Sequence, residues 1–349
     1  MEPMHGGDWA AYEREYGAAP LDFSANVSPL GVPEGVRAAL LDAAGRSDRY
    51  PDPRCAALCA AIADAEGVSS AQVLCGCGAS ELIWRAVRAA RPRRALVTAP
   101  CFGEYEAALA AEGCEIARTA LDDAFRLREA VLTELGGDVD LLFLCQPNNP
   151  SGVTIDPALL RRVLARCRET GTRVVLDECF VDFLDEPARY TMKNALGEFP
   201  GLIVLKAFTK LYGMAGVRLG YALCADTAFL EAARRAGPPW TVSTAAQAAG
   251  LAALREREYA ARVRSLVSRE RPRLYAALCA LGLRVVRGEA NFLLFRSAKP
   301  LAGPLRRRGL LLRGCGDFAG LDDTWYRAAV RTREENERLI GALREVLSE

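Results

Sequence analysis

The sequence predicts an α/β protein, with a mostly parallel sheet wrapped by helices and a smaller α+β unit after it. Three observations lead there. Short runs that are nearly all apolar recur at 95–98, 141–144, 174–176 and 202–205, as strands covered on both faces require. Between them, apolar side chains recur at helical spacing. After Asp226 the texture changes, with long helical patterns first and short strands later.

Taken in order, Gln72-Val73-Leu74 reads as the first strand of this sheet. Leu82, Ile83, Ala86 and Val87 form a helical stripe just after Gly78-Ala79-Ser80. The run Ala95-Leu96-Val97-Thr98 ends at Pro100, and Leu141-Leu142-Phe143-Leu144 ends at Pro147. Leu159, Leu160, Val163, Leu164 and Cys167 make the next stripe, which Gly171 stops. Val174-Val175-Leu176 ends in Asp177-Glu178, and Leu202-Ile203-Val204-Leu205 runs into Lys206. Strand–helix–strand alternation over these segments implies a parallel sheet. Later come Leu283-Arg284-Val285-Val286, Phe292-Leu293-Leu294-Phe295 and a last helix carrying Leu339, Ile340, Leu343, Val346 and Leu347. The expected division is an N-terminal arm over 1–30 that joins the small domain, a large domain over 31–228 and a small one over 229–349, with the boundary near Asp226 to Pro239.

Composition narrows the function classes. The 349 residues are 51% hydrophobic and 26% charged, enough for a large core. A net charge of +1 argues against a dedicated nucleic-acid binder. The basic runs Arg91-Pro92-Arg93-Arg94 and Arg306-Arg307-Arg308 are short and read as solvated faces. The longest apolar run, Cys55 to Ala63, is far below the ~20 residues a bilayer needs, so no membrane partner is expected. The first residues include Glu2 and Asp8 and lack an apolar signal region, and the twelve cysteines sit mostly in apolar stretches. A cytoplasmic protein with reduced thiols is the expectation. Cys75 and Cys77 are close, but with a single histidine in the chain no metal site is expected.

Open parallel sheets bind ligands at the carboxyl ends of their strands, so the residues there carry the functional information. The first strand leads into Cys75-Gly76-Cys77-Gly78-Ala79-Ser80-Glu81. A glycine-rich turn that opens a helix suits a phosphate, and a tight turn without a ligand accounts for it as well. Gln146-Pro147-Asn148-Asn149-Pro150-Ser151-Gly152 offers amides to a pocket or serves only the turn. Asp177 and Glu178 place carboxylates that need partners once buried, and Glu178 also fits a structural role. Phe208-Thr209-Lys210-Leu211-Tyr212-Gly213 and Arg218 complete the set. Only four of the 45 basic side chains are lysines, namely Lys193, Lys206, Lys210 and Lys299. A strand-end lysine is therefore informative, because a desolvated amine can attack a carbonyl and a guanidinium cannot. A phosphate cradle, an amide, a carboxylate, a lysine and an arginine together match what pyridoxal phosphate requires.

These motifs also carry a family resemblance. Pro147-Asn148-Asn149-Pro150-Ser151-Gly152, Leu176-Asp177-Glu178, and Thr209-Lys210 followed by Arg218 resemble the fold-type I pyridoxal-phosphate aminotransferases, and their histidinol-phosphate branch in particular. Within that branch several segments are similar to the threonine-phosphate decarboxylases of cobalamin synthesis. They are His5-Gly6-Gly7, Asp22-Phe23-Ser24-Ala25-Asn26, Pro29-Leu30-Gly31, Arg49-Tyr50-Pro51-Asp52 and Asp177 to Phe183. Pro239-Trp240, Arg313-Gly314-Cys315 and Gly320-Leu321-Asp322 add to them. Cys77 departs from the asparagine usual between the two glycines, and Ser151 from the usual threonine.

The resemblance implies roles by position. Lys210 would hold the cofactor covalently, Asp177 its ring nitrogen and Asn149 its ring hydroxyl, with Phe102 stacked on the ring. Ala79, Ser80, Thr209 and Arg218 would bind its phosphate, with Tyr50 reaching in from a partner subunit, which makes a homodimer the expected assembly. Arg327 would clamp the substrate carboxylate, and Arg313, near His5 and Asn26, would receive the substrate's phosphate or carboxylate. The implied substrate is a small phosphorylated amino acid. Decarboxylation of threonine phosphate to 1-amino-2-propanol phosphate is the first expectation, and transamination by a histidinol-phosphate or related aminotransferase is the alternative. A cofactor binder without catalysis is a third reading, which Lys210 argues against. Without the resemblance, Phe102 and Trp240 read as core residues, Tyr50 as a turn anchor and His5 as a surface residue.

Overall fold

The computed structural model describes residues 6–349; His5 lies outside them. The arm contributes β1 (Leu21–Asp22), and seven strands build the large sheet. These are β2 (Val73–Gly76), β3 (Arg94–Ala99), β4 (Glu115–Ala120), β5 (Leu141–Cys145), β6 (Arg173–Asp177), β7 (Leu202–Ala207) and β8 (Gly220–Cys224). Their spatial order is β2-β8-β7-β6-β5-β3-β4. All neighbours are parallel except β8, which runs against both β7 and β2. The first strand starts at Val73, because Ser70–Gln72 form a 3-10 turn capped by Ser69.

The apolar runs are covered on both faces, as their composition demands. Leu142, Leu144, Val174, Leu176, Leu202 and Val204 point into one core, where Ala56–Glu66, Pro157–Thr170 and Thr244–Ala253 pack. Leu141, Phe143, Val175, Ile203 and Leu205 point into the other, under Gly78–Ala90 and Thr227–Arg235. Burying a side chain such as Leu142 or Phe143 stabilises by roughly 1.5–3 kcal/mol. The helix Pro157–Thr170 begins where Asp156 accepts from the amides of Ala158 and Leu159. It ends at Gly171, whose φ of 78° suits a residue without a side chain.

The smaller sheet is antiparallel, in the order β12-β13-β10-β9, formed by β9 (Arg284–Val285), β10 (Phe292–Arg296), β12 (Arg313–Gly314) and β13 (Trp325–Ala329). A separate parallel pair joins β1 to β11 (Leu310–Leu311), and Phe23 is fully buried in the small-sheet core. The described part of the arm therefore packs with the small sheet. The division by packing falls later than the expected boundary at 228/229. Phe229, Leu230 and Ala233 belong to the large-sheet core, as do Ala246 and Ala249. The change comes within the helix Arg257–Ala280. Val263 and Val267 pack against Phe180 and Phe183, whereas Leu274 and Leu278, past Pro272, pack against the small sheet. Sequence texture changes at 226 because the pattern becomes helical there, while the apolar stripes continue to face the old core.

Candidate active site

The carboxyl ends of β6 and β7, the turn after β5 and the start of the helix Gly78–Ala90 meet at one cavity of about 540 Å³. Lys210, Asp177, Asn149, Phe102, Ala79, Ser80, Thr209 and Arg218 all line it. So do Asn26, Arg313 and Arg327, together with Gly6 and Gly7 of the arm. Tyr50 does not. It is 84% exposed and packs on Trp240 with ring centroids 5.1 Å apart. A second cavity of about 470 Å³, bounded by Arg126, Arg284 and Arg287, holds none of these residues.

Lys210 sits on the short helix Phe208–Leu211 that follows β7. Its ammonium stands 5.5 Å from the Phe180 ring centroid. It differs from the other lysines: Lys206 and Lys193 are paired with carboxylates and Lys299 donates to the Leu347 carbonyl. The Lys210 Nζ has no ion pair or hydrogen bond among the described residues. Burial pushes its pKa below the ordinary lysine value; Arg327 and Arg218 add to the shift, and Cys179 and Asp177 oppose it. An amine so placed is easily deprotonated, as a nucleophile requires.

Asp177 is buried at the end of β6. One carboxylate oxygen accepts the Cys179 amide at 2.9 Å and the other accepts the Tyr105 hydroxyl at 2.6 Å. Tyr105 is fully buried, stacked on Phe143 at 4.8 Å. Burial, reinforced by the Asp177 carboxylate, holds its pKa well above the ordinary tyrosine value, so it remains a donor. Both donors are neutral, which leaves the Asp177 charge uncompensated and directed at the cavity. Sequence reasoning named Phe102 but missed Tyr105. The signal was present, since Tyr105 lies three residues on in the same helical segment and its ring meets that of Phe102 edge-on at 5.7 Å.

The glycine-rich turn leads into a helix whose N-terminus has no side-chain cap. The helix dipole and first-turn amides there favour an anion. Gly78 has φ of 80°, and a Cβ on it would lie 2.7 Å from an Arg218 nitrogen, so the absent side chain admits that guanidinium. Gly220 allows β8 to press on the same turn, since its Cβ would come 2.7 Å from the Ala79 nitrogen.

Arginines define the other end of the cavity. Arg327 is buried on β13, donating to Asn149 Oδ1 and to the Ser24 carbonyl, the latter at 3.0 Å. Among the described residues its Nε has no partner, and neither does the buried Oδ1 of Asn26. Burial lowers the Arg327 pKa to about 10, which leaves it charged at neutral pH. A buried guanidinium without a carboxylate calls for an anion. Arg313 differs, because Asp317 pairs with it at 2.6 Å. The sequence reading had not named Asp317, and it gave Phe180 only as part of the run Asp177 to Phe183.

The residues present fit pyridoxal phosphate. An unpaired amine, a carboxylate with spare charge and an uncapped helix start beside Arg218 face one cavity, and a buried cation and two orphaned polar atoms remain for a substrate.

The comparisons agree with this geometry. The model for "Aminotransferase class I and II" matches residues 19–343. A threonine-phosphate decarboxylase from Salmonella typhimurium is 38% identical, covering 99% of this chain and 96% of its own. A histidinol-phosphate aminotransferase from Symbiobacterium thermophilum is 34% identical, covering 97% and 93%. The structure of a histidinol-phosphate aminotransferase from Sinorhizobium meliloti, in complex with pyridoxal 5'-phosphate, superposes with a TM-score of 0.87 at 25% identity, covering 99% of this chain and 96% of that one. The chain belongs to the aminotransferase class I and II family of fold-type I, pyridoxal-phosphate-dependent enzymes.

Proposed function

We propose that this pyridoxal-phosphate enzyme decarboxylates L-threonine O-3-phosphate to (R)-1-amino-2-propanol O-2-phosphate, a step of cobalamin synthesis, and that it works as a homodimer. The supporting observation is the second anion site. Arg327 is buried with no carboxylate partner and an unmet Nε among the described residues, and Asn26 and Arg313 line the same cavity. A substrate bearing both a carboxylate and a phosphate suits such a pair of arginines. The 38% identity to a threonine-phosphate decarboxylase over 99% of the chain supports the same reading.

In this reading Lys210 holds the cofactor through Nζ, Asp177 faces its ring nitrogen, Asn149 its hydroxyl and Phe102 its face. Ala79, Ser80, Thr209 and Arg218 hold its phosphate, with Tyr50 supplied by the neighbouring subunit. When bound, pyridoxal phosphate supplies a sink for the electrons of a bond broken at the substrate α-carbon. The residues gripping the carboxylate would decide which α-carbon bond is presented to that sink. Arg327 grips the carboxylate and Arg313 the phosphate, holding the carboxylate bond toward it until carbon dioxide leaves. Nζ of Lys210, released when the substrate amine takes its place and gaining that amine's proton, would deliver the proton to the α-carbon. His5 belongs to the same assignment at the phosphate end.

The alternative is transamination of histidinol phosphate or a related substrate, which the 34% identity to such an enzyme favours. The two readings diverge in one experiment. Holoenzyme mixed with threonine phosphate is expected to release carbon dioxide and the amino-alcohol phosphate in equal amounts. Absence of carbon dioxide, with conversion of the cofactor to its pyridoxamine form by an amino donor, would favour the aminotransferase.

A further inference from the structure

The glycine-rich turn is tied to a distant surface through one buried arginine. Arg85 lies on the helix Gly78–Ala90, one turn past Glu81, and is only 5% exposed. Its Nε and Nη2 both donate to Glu81 Oε1, at 3.0 and 2.8 Å. The other oxygen of Glu81 accepts the backbone N–H of Cys77 at 2.6 Å. From its far side Arg85 reaches the end of the helix Thr227–Arg235 and the segment after it. Nη1 donates to the Arg234 carbonyl at 2.6 Å, and Nη2 to the Pro238 carbonyl at 2.7 Å and the Thr241 hydroxyl at 3.4 Å. Gly237 is the residue this approach requires, because a Cβ there would lie 2.6 Å from the guanidinium carbon. The same segment carries Trp240, whose ring packs on Tyr50. One guanidinium therefore joins the turn at Cys77 to the exposed Tyr50–Trp240 pair.

We propose that Arg85 is a positioning residue for the cofactor phosphate: it keeps the Glu81 carboxylate neutralised and aimed at Cys77, and it anchors the segment that presents Tyr50 to the neighbouring subunit. The inference rests on the phosphate and Tyr50 assignments under Proposed function. The physical reason is competition. Glu81 stands in the first turn of the helix whose N-terminus is to receive the phosphate, and the dipole there attracts any anion. Without Arg85, Glu81 is an unpaired carboxylate beside those amides and repels or displaces the phosphate. With Arg85 in place its charge is spent, and one oxygen is fixed on the Cys77 N–H, away from the amides of Ala79 and Ser80.

The test compares pyridoxal phosphate with pyridoxal, which lacks the phosphate, binding to apoprotein. Affinities are followed by absorbance and subunit association by sedimentation. Arg85→Met is expected to weaken pyridoxal phosphate by about tenfold or more, to change pyridoxal by less than about threefold, and to weaken subunit association. Adding Glu81→Gln in the same chain removes the competing charge and is expected to restore most of the phosphate preference, though not the subunit association. Gly237→Ala, which displaces the guanidinium without changing its chemistry, is expected to reproduce both losses in milder form. If Arg85→Met fails to fold, Gly237→Ala alone decides the matter. Equal loss for both vitamers, or no rescue by Glu81→Gln, overturns the proposal and leaves Arg85 a packing residue. A wild-type protein that binds the two vitamers equally would instead sink the phosphate assignment itself.

Discussion

Lys206 and Lys210 are four residues apart on one strand and the short helix after it, yet the molecule treats them in opposite ways. Lys206 points to the same face as Val204. It is held at 3.1 Å by both Glu66 and Asp182, while Tyr221 and Lys193 also donate to Glu66. Those acidic neighbours raise its pKa well above the ordinary lysine value, although burial, the largest single influence, works to lower it. Lys210 faces the cavity among arginines, and its pKa falls. Burial disfavours charge in both places: at Lys206 the carboxylates outweigh it, while at Lys210 it prevails, with Arg327 and Arg218 set against Cys179 and Asp177. A carboxylate-rich region makes a lysine structural, and a cation-rich cavity leaves one reactive.

The largest effect that would break this comparison is at Lys210. Lys210→Ala is expected to lower turnover by at least ~1000-fold and to abolish the borohydride-trapped cofactor adduct, with the fold intact by circular dichroism. Lys206→Met should do the reverse. It leaves Glu66 and Asp182 without their shared cation, and a buried pair broken on one side costs about 3–5 kcal/mol. Urea unfolding of the apoprotein would measure that loss, while cofactor trapping at Lys210 is expected to survive. Loss of trapping in a folded Lys206→Met protein would erase the distinction between the two lysines.

The same region sets an expected pH dependence. Glu178 is fully buried, and burial raises its pKa from 4.5 to about 7, against the opposing pull of Lys206 and the donors Thr191 and Met192. A carboxyl whose folded pKa is raised binds its proton more tightly in the native state. Its contribution is complete below 4.5 and is lost as pH climbs through about 7. Glu66 has the opposite sign, because Lys206, Lys193 and Tyr221 outweigh its burial and take its pKa down to about 2. That contribution is complete above 4.5 and disappears on acidification toward 2. Glu178→Gln is therefore expected to flatten a decline of about 3 kcal/mol in unfolding free energy between pH 4.5 and 7. An unchanged slope in the variant would show that Glu178 is not the group that titrates.

The two regions were unequally legible in the sequence. The strand-end residues could be read because fully apolar runs mark buried strands, and a scarce lysine directly after one stands out. The direction of β8 could not be read, since Gly220 to Cys224 is as apolar as the parallel strands of the sheet and periodicity carries no sense of direction. The two-residue strand Leu21–Asp22 is too short to have a period and exists through its partner Leu310–Leu311. The carboxylate network under Lys206 draws on Glu66, Asp182, Lys193 and Tyr221, which meet only once the sheet has formed. Asp317 and Tyr105 are different, since Asp317 stands four residues from Arg313 and Tyr105 three from Phe102, so their positions were within reach of sequence reading.

Tyr105 gives the smallest effect and the sharpest form of the comparison. Glu66 and Asp177 are both buried carboxylates, but lysines pair with Glu66 while Asp177 accepts from the Tyr105 hydroxyl and the Cys179 amide and has no ion pair among the described residues. If Asp177 keeps its charge for a cofactor ring, removing one neutral donor should weaken its alignment without unfolding the protein. Tyr105→Phe deletes the hydroxyl and keeps the ring stacked on Phe143. A lost hydrogen bond to a charged group is worth about 1.5–3 kcal/mol, so kcat is expected to fall by about tenfold or more with KM little changed. A purely structural tyrosine would give another pattern, in which unfolding free energy drops and kcat of the folded fraction is unaffected. That result would return Tyr105 to the core and leave the Asp177 position to the Cys179 amide and the end of β6.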